Sequence, residues 1–353
     1  MRFGIASRLA AAGALIFTTA ACGAAGPGED VRPSVVATTT QVGSIAAEVG
    51  GDAIDLTVLL SPGVEAHDFE LTPAQGAAIE QADLILVSGA GLEEWLDAAI
   101  DAAGGADRVR DLSEGIELRT PGEDEPIHSH DDDEDGHHDE DGHHDDDDEH
   151  GHDDEDGHHD DDDEHGHDDG HGHGETDPHY WMTAPNAIVM VENARDALLE
   201  IAPDDAEGIQ QRAEALIERL EAADAEVRRL IGEIPEDQRK LVTDHDAMGY
   251  FVDEYGLDFV GSVFPSLDVS SEPSARDVET LVAQIREAGV TAIFTESSVN
   301  PRLARAIANE AGARLVTEPI YTDSLGEEGS GAETLDGMLV HNATVIRDGL
   351  TGD

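Results

Sequence analysis

The stretch Lys240-Leu241-Val242-Thr243-Asp244-His245-Asp246-Ala247-Met248-Gly249-Tyr250-Phe251-Val252-Asp253-Glu254-Tyr255 holds the fold in miniature. Four residues that suit a buried strand run into a short acidic turn, and the turn runs into a helical stretch over 247–255. A strand followed directly by a helix is the repeating unit of a parallel sheet with crossover helices. His245 stands at the carboxyl end of the strand, where open α/β sheets place their ligands.

The same alternation extends in both directions. Strands are expected at 35–38, 55–60 and 83–88, with helices at 44–49, 73–81 and 92–102. Beyond residue 240, strands are expected at 259–263, 292–295 and 314–317, and helices at 275–288, 301–311 and 332–347. Two α/β lobes with parallel sheets account for this order. Between them, Ile209, Ala213, Leu216, Leu220, Val227 and Leu230 recur at helical spacing within 204–232. Such a helix would be about 43 Å long at 1.5 Å per residue. Spacing alone fits a surface helix packed on one lobe, but its place between two α/β halves fits a connector that spans both.

The net charge of -62 is uneven. Residues 123–177 hold 29 of the 81 acidic residues and neither Lys nor Arg, leaving 52 acidic against 19 basic residues elsewhere. The remainder has ordinary hydrophobic periodicity and should fold, and its acidity argues against nucleic acid as a partner. Within the tract, GHHDDDDEHGHDD at 142–154 returns unchanged at 157–169. With almost no apolar side chains to bury, the tract is expected to be disordered. A plain acidic spacer needs no His-His or His-Gly-His units, so weak, multiple binding of zinc, copper or nickel is the better reading.

The chain opens with Arg2 and Arg8, an apolar run from 9 to 21, and then Cys22, its only cysteine. This pattern describes a signal peptide over 1–21, too short for an ordinary membrane span. Thr19-Ala20-Ala21-Cys22 resembles a bacterial lipobox, with Thr19 where Leu is commoner. Cys22 is therefore the expected lipidation site, tethering the protein to the outer face of a bacterial cell membrane. Residues 22–33 would form a flexible leash, 34–202 the N-terminal lobe with the 123–177 insertion, 203–235 the connecting helix and 236–353 the C-terminal lobe.

Fourteen of the eighteen histidines lie between His128 and His173. Of the other four, three sit in separate loop motifs: Gly63-Val64-Glu65-Ala66-His67, Asp177-Pro178-His179-Tyr180-Trp181 and Thr243-Asp244-His245. Any one alone reads best as a satisfied structural histidine. Three together, in a chain otherwise nearly free of histidine, read as a site for a borderline divalent ion, which takes four ligands. Thiolate is excluded because the lone cysteine belongs to the signal region. The fourth ligand must then be an oxygen, and Glu296 and Asp323 both follow strands of the C-terminal lobe; spacing does not separate them. His341, on the last helix, reads as a surface residue.

The motifs GVEAHDFELTP, DPHYWMTAPN, TDHDAMGYFVDEYGL, AIFTESSVNPRLARAIANEAG and YTDSLGEEG together resemble the zinc and manganese solute-binding lipoproteins of bacterial metal ABC importers, the ZnuA-like and TroA-like group. The resemblance covers nearly all of the chain after Cys22. It implies two lobes, a long connecting helix and a metal at the lobe interface, with His67 and His179 from the N-terminal lobe and His245 and Asp323 from the C-terminal one. Glu296 and Trp181 then become groups that support the ligands. Ala66 replaces the usual proline before the first histidine, and Thr183 the usual acid after the DPHxW core; neither change removes a ligand.

The resemblance implies an extracytoplasmic receptor that delivers Zn2+ to the permease and ATPase of an importer, acting as a monomer. Mn2+ is the alternative cargo, but three imidazoles and one carboxylate favour zinc, since manganese prefers oxygen. A zinc hydrolase would need an open coordination position and a general base; no His-Glu-x-x-His pattern is present, so no enzyme is expected. A metal buffer or chaperone acting through the His-rich tract is a further reading, and it requires tight binding to be lost with the tract.

Overall fold

The structure is a computed structural model describing residues 32–67, 69–120, 176–267 and 272–352. The expected signal peptide, Cys22, the leash up to residue 31 and the tract from 121 to 175 lie outside the described residues.

In the N-terminal lobe, β1 (Ser34–Ala37), β2 (Asp55–Val58), β3 (Leu84–Val87) and β4 (Val109–Asp111) form one parallel sheet in the order β2-β1-β3-β4. Val35 lies opposite Leu56 on one side and Leu84 on the other. All four residues of β3 (Leu-Ile-Leu-Val) are buried, as expected of a central strand covered on both faces. Helix α1 (Thr40–Gly50) begins four residues before the expected start. Its cap is Thr39, whose hydroxyl accepts from the Val42 amide, and the β-branched run Thr38-Thr39-Thr40 reads locally as a continuing strand. Helix α2 (Pro73–Gln81) starts on a capping box of Thr72 and Gln75 with Pro73 at its first position. Helix α3 (Glu94–Ala103) ends at Gly104, whose φ of 59° suits glycine. Strand β4 is only three residues long and escapes sequence patterning.

Helix α4 (Ala184–Ile201) is capped by Thr183, whose hydroxyl accepts from the Asn186 amide. Threonine thus performs at this position the N-capping that an acid also can. Helix α5 (Ala206–Gly232) buries every apolar position expected of the connector and packs against α1 and α4 on one side and on α6 (Gly249–Tyr255) and α9 (Leu335–Thr351) of the C-terminal lobe on the other.

That lobe contains β5 (Lys240–Thr243), α6 (Gly249–Tyr255), β6 (Asp258–Ser262), α7 (Ala275–Ala288), β7 (Ala292–Glu296), α8 (Arg302–Ala311), β8 (Arg314–Ile320) and α9 (Leu335–Thr351). β5 pairs with β6 and β7 with β8, all parallel, and β5 lies against β7. Alternation along the strands divides two cores. Leu241 and Phe294 face the large core shared with α5, α9 and the N-terminal lobe, while Val242 and Ile293 face a separate core under α7 and α8. The large core runs through the junction, so the lobes share buried apolar surface as well as a connecting helix. Among the described residues no helix is long and apolar enough to cross a membrane.

Candidate metal centre

His67, His179, His245 and Asp323 converge on one point between the lobes, each offering a ligand atom within 4.8 Å of the others. The Nε2 atoms of His67 and His179 are 3.2 Å apart. Asp323 Oδ1 lies 3.2 Å from His179 Nε2, and its Oδ2 lies 3.3 Å from His245 Nε2. Bonds of about 2.0–2.1 Å in a tetrahedron put neighbouring donors about 3.3–3.4 Å apart, so these edges fit a first-row divalent ion. The edge from His67 to Asp323 Oδ1 is longer, at 4.0 Å.

His179 precedes the single turn Tyr180–Met182 and is wholly buried. The carboxylate of Asp177 accepts from the His179 backbone amide at 3.0 Å and lies 2.8 Å from its Nδ1. This contact leaves Nε2 turned toward the cluster. Asp177 is in turn held by Arg119 Nη1 at 3.1 Å, and Arg119 Nε donates to Asp253 on α6. Tyr250 completes this brace: its hydroxyl accepts from the Arg119 amide and donates to the Asp177 carbonyl.

His245 is held similarly from behind. Glu296 at the end of β7 accepts from the His245 amide at 2.9 Å, and its other oxygen lies 2.6 Å from Nδ1 as a close ion-pair contact. Glu296 therefore sits on the opposite side of the imidazole from the cluster, and Asp323 supplies the converging oxygen. Trp181 is fully buried, packs edge-on against His179 and donates from Nε1 to the Thr322 carbonyl.

His67 lies farther from any regular element, between β2 and α2. Trp95 donates to the Ala66 carbonyl and Glu65 accepts from the His67 amide, bracing the loop from within its own lobe. The His67 side chain retains 16% exposure, the only one of the four with appreciable access to solvent.

The electrostatics are those of a cation site. Burial works against charge on His179, but hydrogen bonds to Asp177 and Asp323 outweigh it and lift its pKa to about 9. His245 is raised well above its ordinary value, where Glu296 and Asp323 overcome burial. The two imidazoles overcome burial at Asp323 and hold it well below the usual carboxylate range. The surrounding carboxylates thus favour positive charge at the cluster, and a divalent cation would compete with protons for it. Two further acids surround it: burial and then Asp323 push Glu65 up to about 7, and burial and then Glu296 push Asp244 up to about 7.

His341 lies outside the cluster. It is half-buried rather than on the surface as expected, with Nε2 3.0 Å from the Pro319 carbonyl and its ring edge-on to Tyr321. Asp244 accepts from the Glu296 amide at 2.9 Å, and this role, like those of Asp177 and Arg119, is not among the sequence expectations. A carboxylate two residues before or directly before a candidate ligand was the available signal, whereas Arg119 offered none.

The chain matches the family described as zinc-uptake complex component A, periplasmic, over residues 35–349. It is 28% identical to the manganese-binding lipoprotein MntA of Bacillus subtilis over 96% of this chain and 97% of that one. It is 26% identical to the zinc-binding protein TroA of Treponema pallidum, over 98% of each. The solved structure of periplasmic zinc-binding TroA superposes with a TM-score of 0.71 at 25% identity, covering 91% of this chain and 99% of that one. These relatives are named as metal-binding proteins. With a family match that runs through both lobes and a three-histidine, one-aspartate cluster between them, the chain belongs to the zinc-uptake component A family of divalent-metal receptors for ABC importers.

Proposed function

We propose that this protein is a zinc receptor that captures Zn2+ outside the cytoplasm and hands it to the permease of an ABC importer. The observation that carries this reading is the donor set. Three imidazole nitrogens and one carboxylate converge at spacings suited to a four-coordinate ion, and that set favours zinc over harder cations. His67, His179, His245 and Asp323 would hold the ion, with Asp177 and Glu296 orienting two imidazoles. A filled coordination sphere suits a receptor whose cargo must leave unchanged. The lipoprotein names among the relatives support a tether at Cys22 and a membrane partner.

Manganese is the second reading, on a specific observation: two manganese-binding lipoproteins are 28% identical to this chain over nearly their whole lengths. Native metal analysis of the purified protein, followed by competitive titration with zinc and manganese, tests the assignment. Zinc should be recovered at one ion per chain in the tight site and should displace manganese. Tighter retention of manganese would overturn the zinc reading.

A further inference from the structure

The loop carrying Asp323 belongs by sequence to the C-terminal lobe, yet much of its hydrogen bonding is to the other lobe. On its own side, Asn342 of α9 accepts from the Tyr321 amide at 2.9 Å and donates to its carbonyl at 2.7 Å, and the Thr322 hydroxyl donates to Glu296 at 2.6 Å. From there to Leu325 the partners change. The Thr322 carbonyl accepts from Gln41 Nε2 at 3.0 Å and from Trp181 Nε1 at 2.9 Å; the Ser324 hydroxyl accepts from the Gly63 amide at 2.9 Å; and the Leu325 amide donates to the Thr40 hydroxyl at 2.8 Å. Thr322, Asp323, Ser324, Gln41 and Trp181 are all buried.

Gln41 and Thr40 form a connected unit. A carbonyl can only accept, so the amide nitrogen of Gln41 must face Thr322. Its oxygen then accepts from the Thr40 hydroxyl at 3.0 Å, while that hydroxyl takes the Leu325 amide on a lone pair. Thr40 thereby sets the rotation of the Gln41 amide, and the two side chains grip the backbone on both sides of Asp323. With Trp181, Gln41 uses both lone pairs of the Thr322 carbonyl. Separating the lobes would break these bonds between buried groups, where an unmade hydrogen bond is costly.

We infer that Gln41, oriented by Thr40, is a positioning residue for the Asp323 carboxylate, and that this grip of the first turn of α1 on the Asp323 loop is a catch governing how fast the metal leaves. The hydrogen bonds of Gln41 and Thr40 to the loop go to the backbone of Thr322 and Leu325, so the grip acts through the backbone of the loop. The inference rests on Asp323 being a ligand.

The test is zinc release to an excess of chelator from the full chain loaded with half an equivalent of zinc, so that the tight site fills first and the tract is common to every variant. Gln41→Met keeps the side-chain length and removes the donor; it should release zinc on the order of tenfold faster, the effect of one buried hydrogen bond. Thr40→Val should shift release in the same direction and Thr40→Ser should restore the original rate, so this pair decides the matter if Gln41→Met does not fold. In an Asp323→Asn background, Gln41→Met should add less than twofold, because the carboxylate it positions is gone. Release at the original rate in both Gln41→Met and Thr40→Val, or equal acceleration with and without Asp323, would overturn the positioning role. Unchanged release in Asp323→Asn alone would instead remove Asp323 from the ligand set, and this inference with it.

Discussion

His67 and His245 each stand in a loop that follows a parallel strand, but the two loops differ in build. His245 lies two residues past the end of β5 and four before α6, in a turn so short that strand and helix leave it little freedom. Glu296, on β7, closes behind its ring. His67 lies nine residues past the end of β2 and six before α2, braced by Trp95 and Glu65, and it keeps partial exposure. A tight strand-turn-helix junction places a donor rigidly and brings a carboxylate from the next strand; a long loop places a donor where solvent reaches it. One side of the site is thus built for position and the other for access.

The largest expected effect comes from removing donors. His179→Ala, His245→Ala and His67→Ala should each weaken zinc binding by more than the roughly 10–100-fold that loss of an outer hydrogen-bonding partner costs. They should differ in the metal-free protein. His245→Ala strands Glu296 as a buried, less compensated acid and should lower the melting temperature, whereas His67→Ala should leave it nearly unchanged. Equal destabilisation by both would break the distinction between the two loops. Likewise, if Asp323→Ala left affinity intact while Glu296→Ala destroyed it, the assignment of the fourth donor would be wrong.

Next in size is the pH dependence. The folded-state pKa of His179, about 9, lies above the ordinary 6.5. Its proton therefore stabilises the metal-free fold fully below pH 6.5, and this contribution is lost as pH rises through about 9. Zinc must displace that proton, so affinity should rise with pH as far as about 9. From pH 7 to pH 5 it should fall about 100-fold for this one proton, with more from His245. A flat profile from titrations at several pH values would point to an oxygen-dominated site and move manganese ahead.

The orienting acids come third. Asp177→Asn and Glu296→Gln should cost roughly 10–100-fold in affinity while keeping their shapes. Zinc should also stabilise a protein lacking residues 121–175 by about 2.7 kcal/mol at free zinc 100-fold above the dissociation constant, read as a raised melting temperature. Loss of tight binding in that deletion would place the working site in the tract after all.

The smallest effect tests the far side of the junction. Arg219 on α5 reaches Glu48 on α1 and Asp336 on α9, tying both lobes to the connector at an exposed position. Surface pairs of this kind contribute about 0–1 kcal/mol. Arg219→Ala should therefore lower stability by no more than that and leave zinc affinity unchanged; a large loss of affinity would show that the lobe junction, and not the loops, sets the site.

Much of this was legible in the chain itself. Periodicity marked β5, α2 and α7 at their observed bounds, and the six apolar positions of α5 were all buried as expected. These are local properties, governed by which side chains suit a pleated or helical backbone facing a core. The scarcity of histidine outside the tract singled out His67, His179 and His245. The start of α1 is not legible locally, because Thr38, Thr39 and Thr40 favour a strand and only the cap bond of Thr39 turns the chain into the helix, and β4 is too short to carry a pattern. Glu296 and Asp323 could not be separated by position, since each follows a parallel strand of the same lobe. That choice depends on which oxygen points across the junction and which stays behind His245, a matter of a few ångströms set by the packing of strands and lobes. The same holds for Gln41, which meets Thr322 across 281 residues of chain. Local patterns of residues thus specify the elements and the kinds of donor available, whereas tertiary packing selects which of them converge, because convergence of distant groups leaves no local trace in a pattern of residues.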